Sequence, residues 1–192
     1  MTLTISRKLL LGYLFMALLT VVAGVYALFS LQRLADGAYN ITSHHYILME
    51  SSKKMMDILL AQEAAEKKYL ILKDPALQEI FLQRSEEFQA ELSRVRALKL
   101  DRKGKLVVKN LDKLHRKSQD LFVQEVRLIQ EGLLPDAQKI SDTDGKSVID
   151  EMAMTLRDIQ KNTNQAISGE MTLMAGQGKT AVNITLALCV LS

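Results

Sequence analysis

Apolar residues recur every three or four positions along most of the chain, the period of an amphipathic helix and not of a strand. The longest seam runs unbroken through Leu31, Leu34, Ala38, Ile41, His45, Leu48, Ser52, Met55, Leu59, Gln62, Glu66 and Tyr69, in the manner of a coiled coil. It stops at Lys73-Asp74-Pro75, because the residue before a proline is pushed out of helical geometry, and Asp74 suits the N-cap of the next segment. Phe81, Phe88 and Val95, seven apart, predict a second helix with Leu77, Leu92 and Leu98 beside them. The polar stretch from Leu100 through Asp101, Arg102 and Lys103 to Gly104 reads as a break. A third helix carries Leu111, Leu114, Leu121, Phe122, Leu128 and Ile129, and closes at Gly132 with Pro135 just beyond. The fourth has the cleanest spacing: Ile149, Met152, Leu156, Ile159, Thr163, Ala166, Glu170 and Leu173.

Four amphipathic helices joined by short connections predict an all-α fold, an up-down-up-down four-helix bundle. Helices of about 37 residues would make it roughly 55 Å long. Ahead of the bundle, residues 9–31 contain no charge. They span about 34 Å as a helix, enough to cross a hydrocarbon core of about 30 Å. Arg7 and Lys8 precede this stretch and Arg33 and Asp36 follow it, which favours a cytoplasmic N-terminus at residues 1–8. A cleaved signal peptide, with Val25-Tyr26-Ala27 as its site, is the rival reading. Its apolar core would be far longer than the ~7–15 residues usual for such peptides, and the helical seam runs through the cut.

After Lys179 come thirteen uncharged residues, 180–192, too few to cross a bilayer. They are expected to be the start of a second transmembrane helix in a piece of a longer protein. The organisation expected is therefore a transmembrane helix at 9–31, an extracytoplasmic bundle over 32–179, and a second span opening at 180. The first and last bundle helices would be continuous with the spans.

Composition narrows the class. Two prolines, no tryptophan and 5% aromatics favour long helices. The single cysteine, Cys189, can form no internal disulfide. Net charge is +3, and the mixing of acidic with basic residues along the helices argues against a nucleic-acid partner.

Several short patterns imitate chemistry. Gly178-Lys179-Thr180 resembles the end of a phosphate loop, but Leu173 stands where its first glycine belongs and no strand precedes it. Asp142, Asp144, Gly145 and Glu151 fit part of a calcium loop, but Ile140 at its first position offers no oxygen; a polar kink or helix start is expected instead. His44, His45 and His115 lack metal partners at helical spacing, and no paired Glu-x-x-His helices support a di-iron site. No metal, cofactor or catalytic residue is predicted. Met49, Met55, Met56, Met152, Met154, Met171 and Met174 are expected to fill bundle space. His45, Ser52, Gln62 and Glu66 are polar residues on the core seam, where an unpaired polar group is costly. A hydrated dimer seam is one reading of them. The other is a ligand pocket, with Glu66, Gln62 and His45 as candidate contacts.

The opening TISRKLLLGYLFMALLTVV and the stretch LLAQEAAEKKYLILKDPALQEIFLQRSEEF over residues 59–88 resemble the four-helix-bundle sensor regions of bacterial membrane receptors. They are similar to those of sensor histidine kinases and of methyl-accepting chemotaxis receptors. Glu66-Lys67-Lys68-Tyr69-Leu70 ahead of Asp74-Pro75 matches a run often found in the kinase sensors. The resemblance implies a periplasmic sensor in the bacterial inner membrane, a homodimer in the lipid bilayer. It further implies a small ligand or periplasmic protein as stimulus, and a HAMP linker and signalling domain downstream. No phosphoacceptor histidine box, ATP-binding motif or methylation helix occurs here, so the chain itself is not expected to be an enzyme. The competing expectation is a membrane-anchored helical scaffold.

Overall fold

The computed structural model describes residues 5–191 and divides the chain into two compact units. One comprises the residues through Ser43 together with those from Ala166 onward, and the other His44–Gln165. The first four residues of the expected cytoplasmic N-terminus, and Ser192 at the end of the expected second span, lie outside the described residues.

The elements run α1 (Ile5–Asn40), a π-helical turn (Ile41–His45), α2 (Tyr46–Leu72), α3 (Pro75–Arg96), α4 (Arg102–Gln130), α5 (Leu134–Ile140), a second π turn (Ser141–Gly145) and α6 (Lys146–Leu191). The chain is an all-α four-helix bundle, with α5, the second π turn and α6 forming the fourth helix.

The helix boundaries follow local chemistry. Lys73 closes α2 in the left-handed conformation (φ 56°), its N–H donating to Tyr69 O at 2.8 Å. The Asp74 carboxylate then accepts from Ala76 N at 2.9 Å, with Pro75 at the first helical position, where its missing N–H costs nothing. Asp101 caps α4 in the same way, accepting from Gly104 N at 2.7 Å. Because of that cap the expected break at Leu100–Gly104 is shorter than its polarity suggested, and Lys103 and Gly104 lie within α4. At the other end of α4, Gly132 adopts φ +81°. Leu133 N donates back to Leu128 O at 2.8 Å and Gly132 N to Ile129 O at 3.1 Å, the Schellman closure that favours glycine at this position.

Within His44–Gln165 the core falls into two apolar clusters. One joins Met55 and Leu59 of α2, Phe88, Leu92 and Val95 of α3, Val108 and Leu111 of α4, and Ile149, Met152 and Leu156 of α6. The other joins Ala65, Tyr69 and Leu70 with Phe81, Phe122, Val126, Ile129 and Ala137. Residues early in α2 thus pack with residues late in α3 and early in α4, which is the alternating antiparallel order. Helices α2, α3 and α4 hold 27, 22 and 29 residues, shorter than the 37 expected because the seam ahead of His44 belongs to the other unit.

Three details differ from the sequence reading. Met154 and Met171 are exposed and fill no bundle space, and Leu173 is exposed as well. The even mixing of charge fails over residues 94–117, where ten Lys and Arg face two Asp. Those two are used internally, Asp101 as a cap and Asp112 in ion pairs with Arg96 (3.5 Å) and Arg116 (3.1 Å).

Phe122 stacks on Phe81 with ring centroids 3.8 Å apart and meets Tyr69 edge-on at 5.8 Å. Phe122→Ala is therefore expected to cost about 3–5 kcal/mol, read from urea unfolding of the purified chain. A loss below about 1 kcal/mol would show that this cluster does not carry the bundle.

Candidate functional site

Polar side chains interrupt the apolar seams of the bundle on three elements. On α2, Gln62 and Glu66 occupy successive turns of the buried face, 1% and 5% exposed. On α4 the buried seam reads Leu111, His115, Ser118, Phe122, Glu125 and Ile129, with Glu125 only 1% exposed. Ser141 and Gly145, the ends of the second π turn, are buried too. A π turn carries one residue more than an α turn and is often found at functional sites. Here it brings two small residues against the carboxylates of α2 and α4.

The Ser141 hydroxyl donates to Glu66 Oε1, and Lys67 Nζ donates to Ser141 Oγ at 2.7 Å and to Asp142 Oδ1 at 2.9 Å. Glu66 Oε1 and Glu125 Oε1 both approach Gly145: a Cβ built there would lie 3.8 Å from the first and 3.7 Å from the second. The carboxyl groups of two helices thus converge on one glycine, with the Ile140 carbonyl oxygen at 3.5 Å from the same point. Glu125 Oε2 and both amide atoms of Gln62 are buried without a hydrogen-bond partner among the described residues. Each such group costs on the order of 1–3 kcal/mol.

These surroundings shift both acids in one direction. Burial raises the Glu66 carboxyl above its usual 4.5, opposed by the Ser141 hydrogen bond and the Lys67 charge and assisted by Glu63 and Asp142. Glu125 is pushed up to about 8, first by burial and then by the Glu66 charge, with Lys67 opposing and Asp142 adding. Two carboxyl groups in one poorly hydrated place cannot both ionise cheaply, so Glu125 holds its proton at neutral pH.

A second polar network ties α3 to α4. Gln89 Nε2 donates to His115 Nδ1 at 3.0 Å, so the ring proton sits on Nε2, which faces Ser85 Oγ at 3.2 Å. Gln119 Nε2 also donates to Ser85 Oγ. Phe88 stacks on the imidazole with centroids 4.3 Å apart. Burial lowers His115 to about 4, against the pull of Asp112, and keeps it neutral. Asp112 is itself raised by burial, but the hydrogen bonds from Gln89 and Arg116 and the charges of Arg116 and Arg96 outweigh that and lower it. This network satisfies its members and holds the α3–α4 pair in register. The Glu66–Glu125 layer does not satisfy its own.

Of the residues singled out in the sequence, Gln62 and Glu66 lie together on α2. His45 stands 21 residues earlier, about 31 Å along a helix axis, in the first π turn and against His44 at 5.5 Å. Asp142 and Asp144 belong to the second π turn, a helical kink and not a calcium loop, and Asp142 is engaged by Lys67. Gly178, Lys179 and Thr180 lie inside α6. Among the described residues no group of three or more His, Cys, Asp or Glu is placed to hold a metal ion. In the other unit a groove of about 640 Å³ is lined by Tyr26, Phe29, Arg33, Gln177 and Thr180 among others; no buried acid lines it.

Sequence reasoning missed Glu125 and Ser141. Glu125 was within reach, since the steps from Leu111 through His115, Ser118 and Phe122 to Glu125 are four, three, four and three. Nothing in the sequence marks Ser141 as a partner, because the π turn that buries it has no signature in the spacing.

A family model described as a four helix bundle sensory module for signal transduction matches residues 2–172. The chain belongs to this family. No curated protein and no solved structure matches it.

The sensory module should therefore show opposed pH dependences. Glu125, raised above its unfolded 4.5, stabilises the fold fully below about pH 4.5, and that contribution is lost as pH rises through about 8. His115, lowered from 6.5 to about 4, stabilises it above about pH 6.5, and that contribution is lost as pH falls through about 4. From about pH 6.5 to about 9 only the Glu125 slope remains of the two. The parent chain is expected to lose stability over that range, and Glu125→Gln to flatten the loss. Equal slopes for the two proteins in urea titrations would refute this.

Proposed function

We propose that this sensory module is the input region of a transmembrane receptor. The observation that carries the reading is the contrast within the chain. The His44–Gln165 unit closes two apolar clusters of its own, while α1 offers Leu9, Leu10, Leu14, Phe15, Leu18, Val21, Leu28 and Phe29 unburied. The helical stretch Leu9–Leu72 is long and apolar enough to cross a membrane, and none of its most apolar window is buried. An apolar surface of that extent is stable in lipid and not in water.

On this reading α1 anchors the chain with residues 1–8 in the cytoplasm, the bundle stands outside it, and the last part of α6 returns into the bilayer as the second span. The receptor is a homodimer in the inner membrane. Its output domain is a histidine kinase, a choice that rests on the Glu66–Leu70 run ahead of Asp74-Pro75; a methyl-accepting chemotaxis output is the alternative. Catalysis belongs to that output domain, since the chain holds no phosphoacceptor or nucleotide motif. A stimulus acts by binding two packings of the bundle with different affinity. The layer around Glu66 and Glu125 is where the packings differ, because its partners are incomplete.

Reporter fusions test the topology. Alkaline phosphatase joined after Leu98, in the α3–α4 connection, is expected to be active in cells, and green fluorescent protein at the same point dark. Dark phosphatase and a bright fluorescent fusion would place the bundle in the cytoplasm and contradict the receptor reading.

A further inference from the structure

The buried layer at the second π turn combines features not used by packing alone. Two carboxyl groups from different helices, α2 and α4, converge on Gly145 within 3.7–3.8 Å of one point. One of them, Glu125, is 1% exposed and has an oxygen with no partner among the described residues. Gln62, one turn from Glu66, is 1% exposed and has none for either amide atom. Apolar clusters drawn from all four helices surround these polar groups.

The charges acting on the pair are few. On α2 they are Glu63 and Lys67, and on the π turn Asp142; α3 contributes none. Lys67 is the one cation among them. It is shared with Asp142 and Ser141, and its side chain is 39% exposed, so it does not neutralise a second buried charge.

We infer that the proton is a ligand of this layer: Glu66 and Glu125 together bind one proton, and its release drives α2 away from α4 and the π turn. With the proton present, the pair carries one negative charge, which Ser141 and Lys67 accommodate. With it gone, two negative charges face each other across Gly145 in a place that water does not reach. Helix separation then admits water and relieves the repulsion. Shifts of about 1–2 Å between packed helices are a recognised way to carry a signal. The release balances as one proton leaving to solvent from a carboxyl O–H, with no redox step. Burial and mutual repulsion set the release in the neutral to mildly alkaline range, since Glu125 is pushed up to about 8. This inference rests on the receptor reading only in calling the proton a stimulus; the titration and the movement belong to the bundle itself.

The test is a distance measurement on the full chain in lipid nanodiscs. Spin labels go on Ala64→Cys of α2 and Gln124→Cys of α4, both exposed positions, in a Cys189→Ser background. Between about pH 6 and about pH 9, either side of the Glu125 transition, the mean α2–α4 distance is expected to lengthen with one midpoint. Glu125→Gln should remove the transition. Glu66→Gln should abolish the lengthening, because release then leaves a single charge and no repulsion, and Lys67→Met should move the midpoint up, because the opposing charge is gone. A distance constant with pH in a folded chain would overturn the inference. So would a full lengthening retained in Glu66→Gln, or a midpoint that stays in place in Lys67→Met, even if Glu125→Gln failed to fold. Reporter fusions that place the bundle outside the cytoplasm would keep the receptor reading standing in either case.

Discussion

The removal of two carboxyl groups from water at one level of a helical bundle is the constraint around which the other features arrange themselves. An ionised carboxylate without a partner is far too costly in such a place. The bundle answers with a π turn that delivers a hydroxyl to Glu66, with Lys67 at the rim, and with a proton kept on Glu125. Gly145 matters here because the two carboxyl oxygens come to it from two helices. The arrangement closes without satisfying Gln62 or the second oxygen of Glu125. A layer of this kind is not selected for stability, since well-packed apolar residues usually do as well or better.

What holds the layer shut is the apolar packing around it. Phe88, Leu92, Met152 and Leu156 are wholly buried, and the Tyr69, Phe81 and Phe122 rings pack together beside the acids. The α3–α4 pair is further held by the His115 network, in which Gln89 fixes the tautomer and Ser85 Oγ accepts from the ring N–H. The α2 helix abuts α1 through a π turn, and the fourth helix contains the other. The first and fourth helices of the bundle thus each adjoin or contain a wide turn, an element frequent at functional sites.

Much of the fold was legible. The 3–4 spacing gave the buried faces of α2 and α4, Asp74-Pro75 gave the first turn, and Gly132 gave the end of α4, because each is a local rule with a local cause. Helix lengths were overestimated because a seam such as Leu31 to Tyr69 does not say where lateral partners begin. Residue type alone places Met154 and Met171 in the interior, although their positions fall off the seam. Of the site, Gln62 and Glu66 were readable as polar residues on an apolar face, and Glu125 would have been by the same rule. Ser141 and the convergence on Gly145 were not, because they depend on an inserted residue in a helix and on contacts between residues some 75 positions apart. His45 obeyed the seam rule, yet it lies too far along the helix to share the site.

Everything above depends on the Glu66–Glu125 pair keeping a proton at neutral pH. The most direct measurement is a carbon-13 NMR titration of glutamate side-chain carboxyls in the intact chain, with Glu66→Gln and Glu125→Gln used to assign the two signals. The Glu125 carboxyl is expected to titrate near 8 and Glu66 above the usual 4.5, and the Glu125 midpoint to fall in Glu66→Gln. Two carboxyls that both ionise near 4.5 in a folded bundle would contradict it.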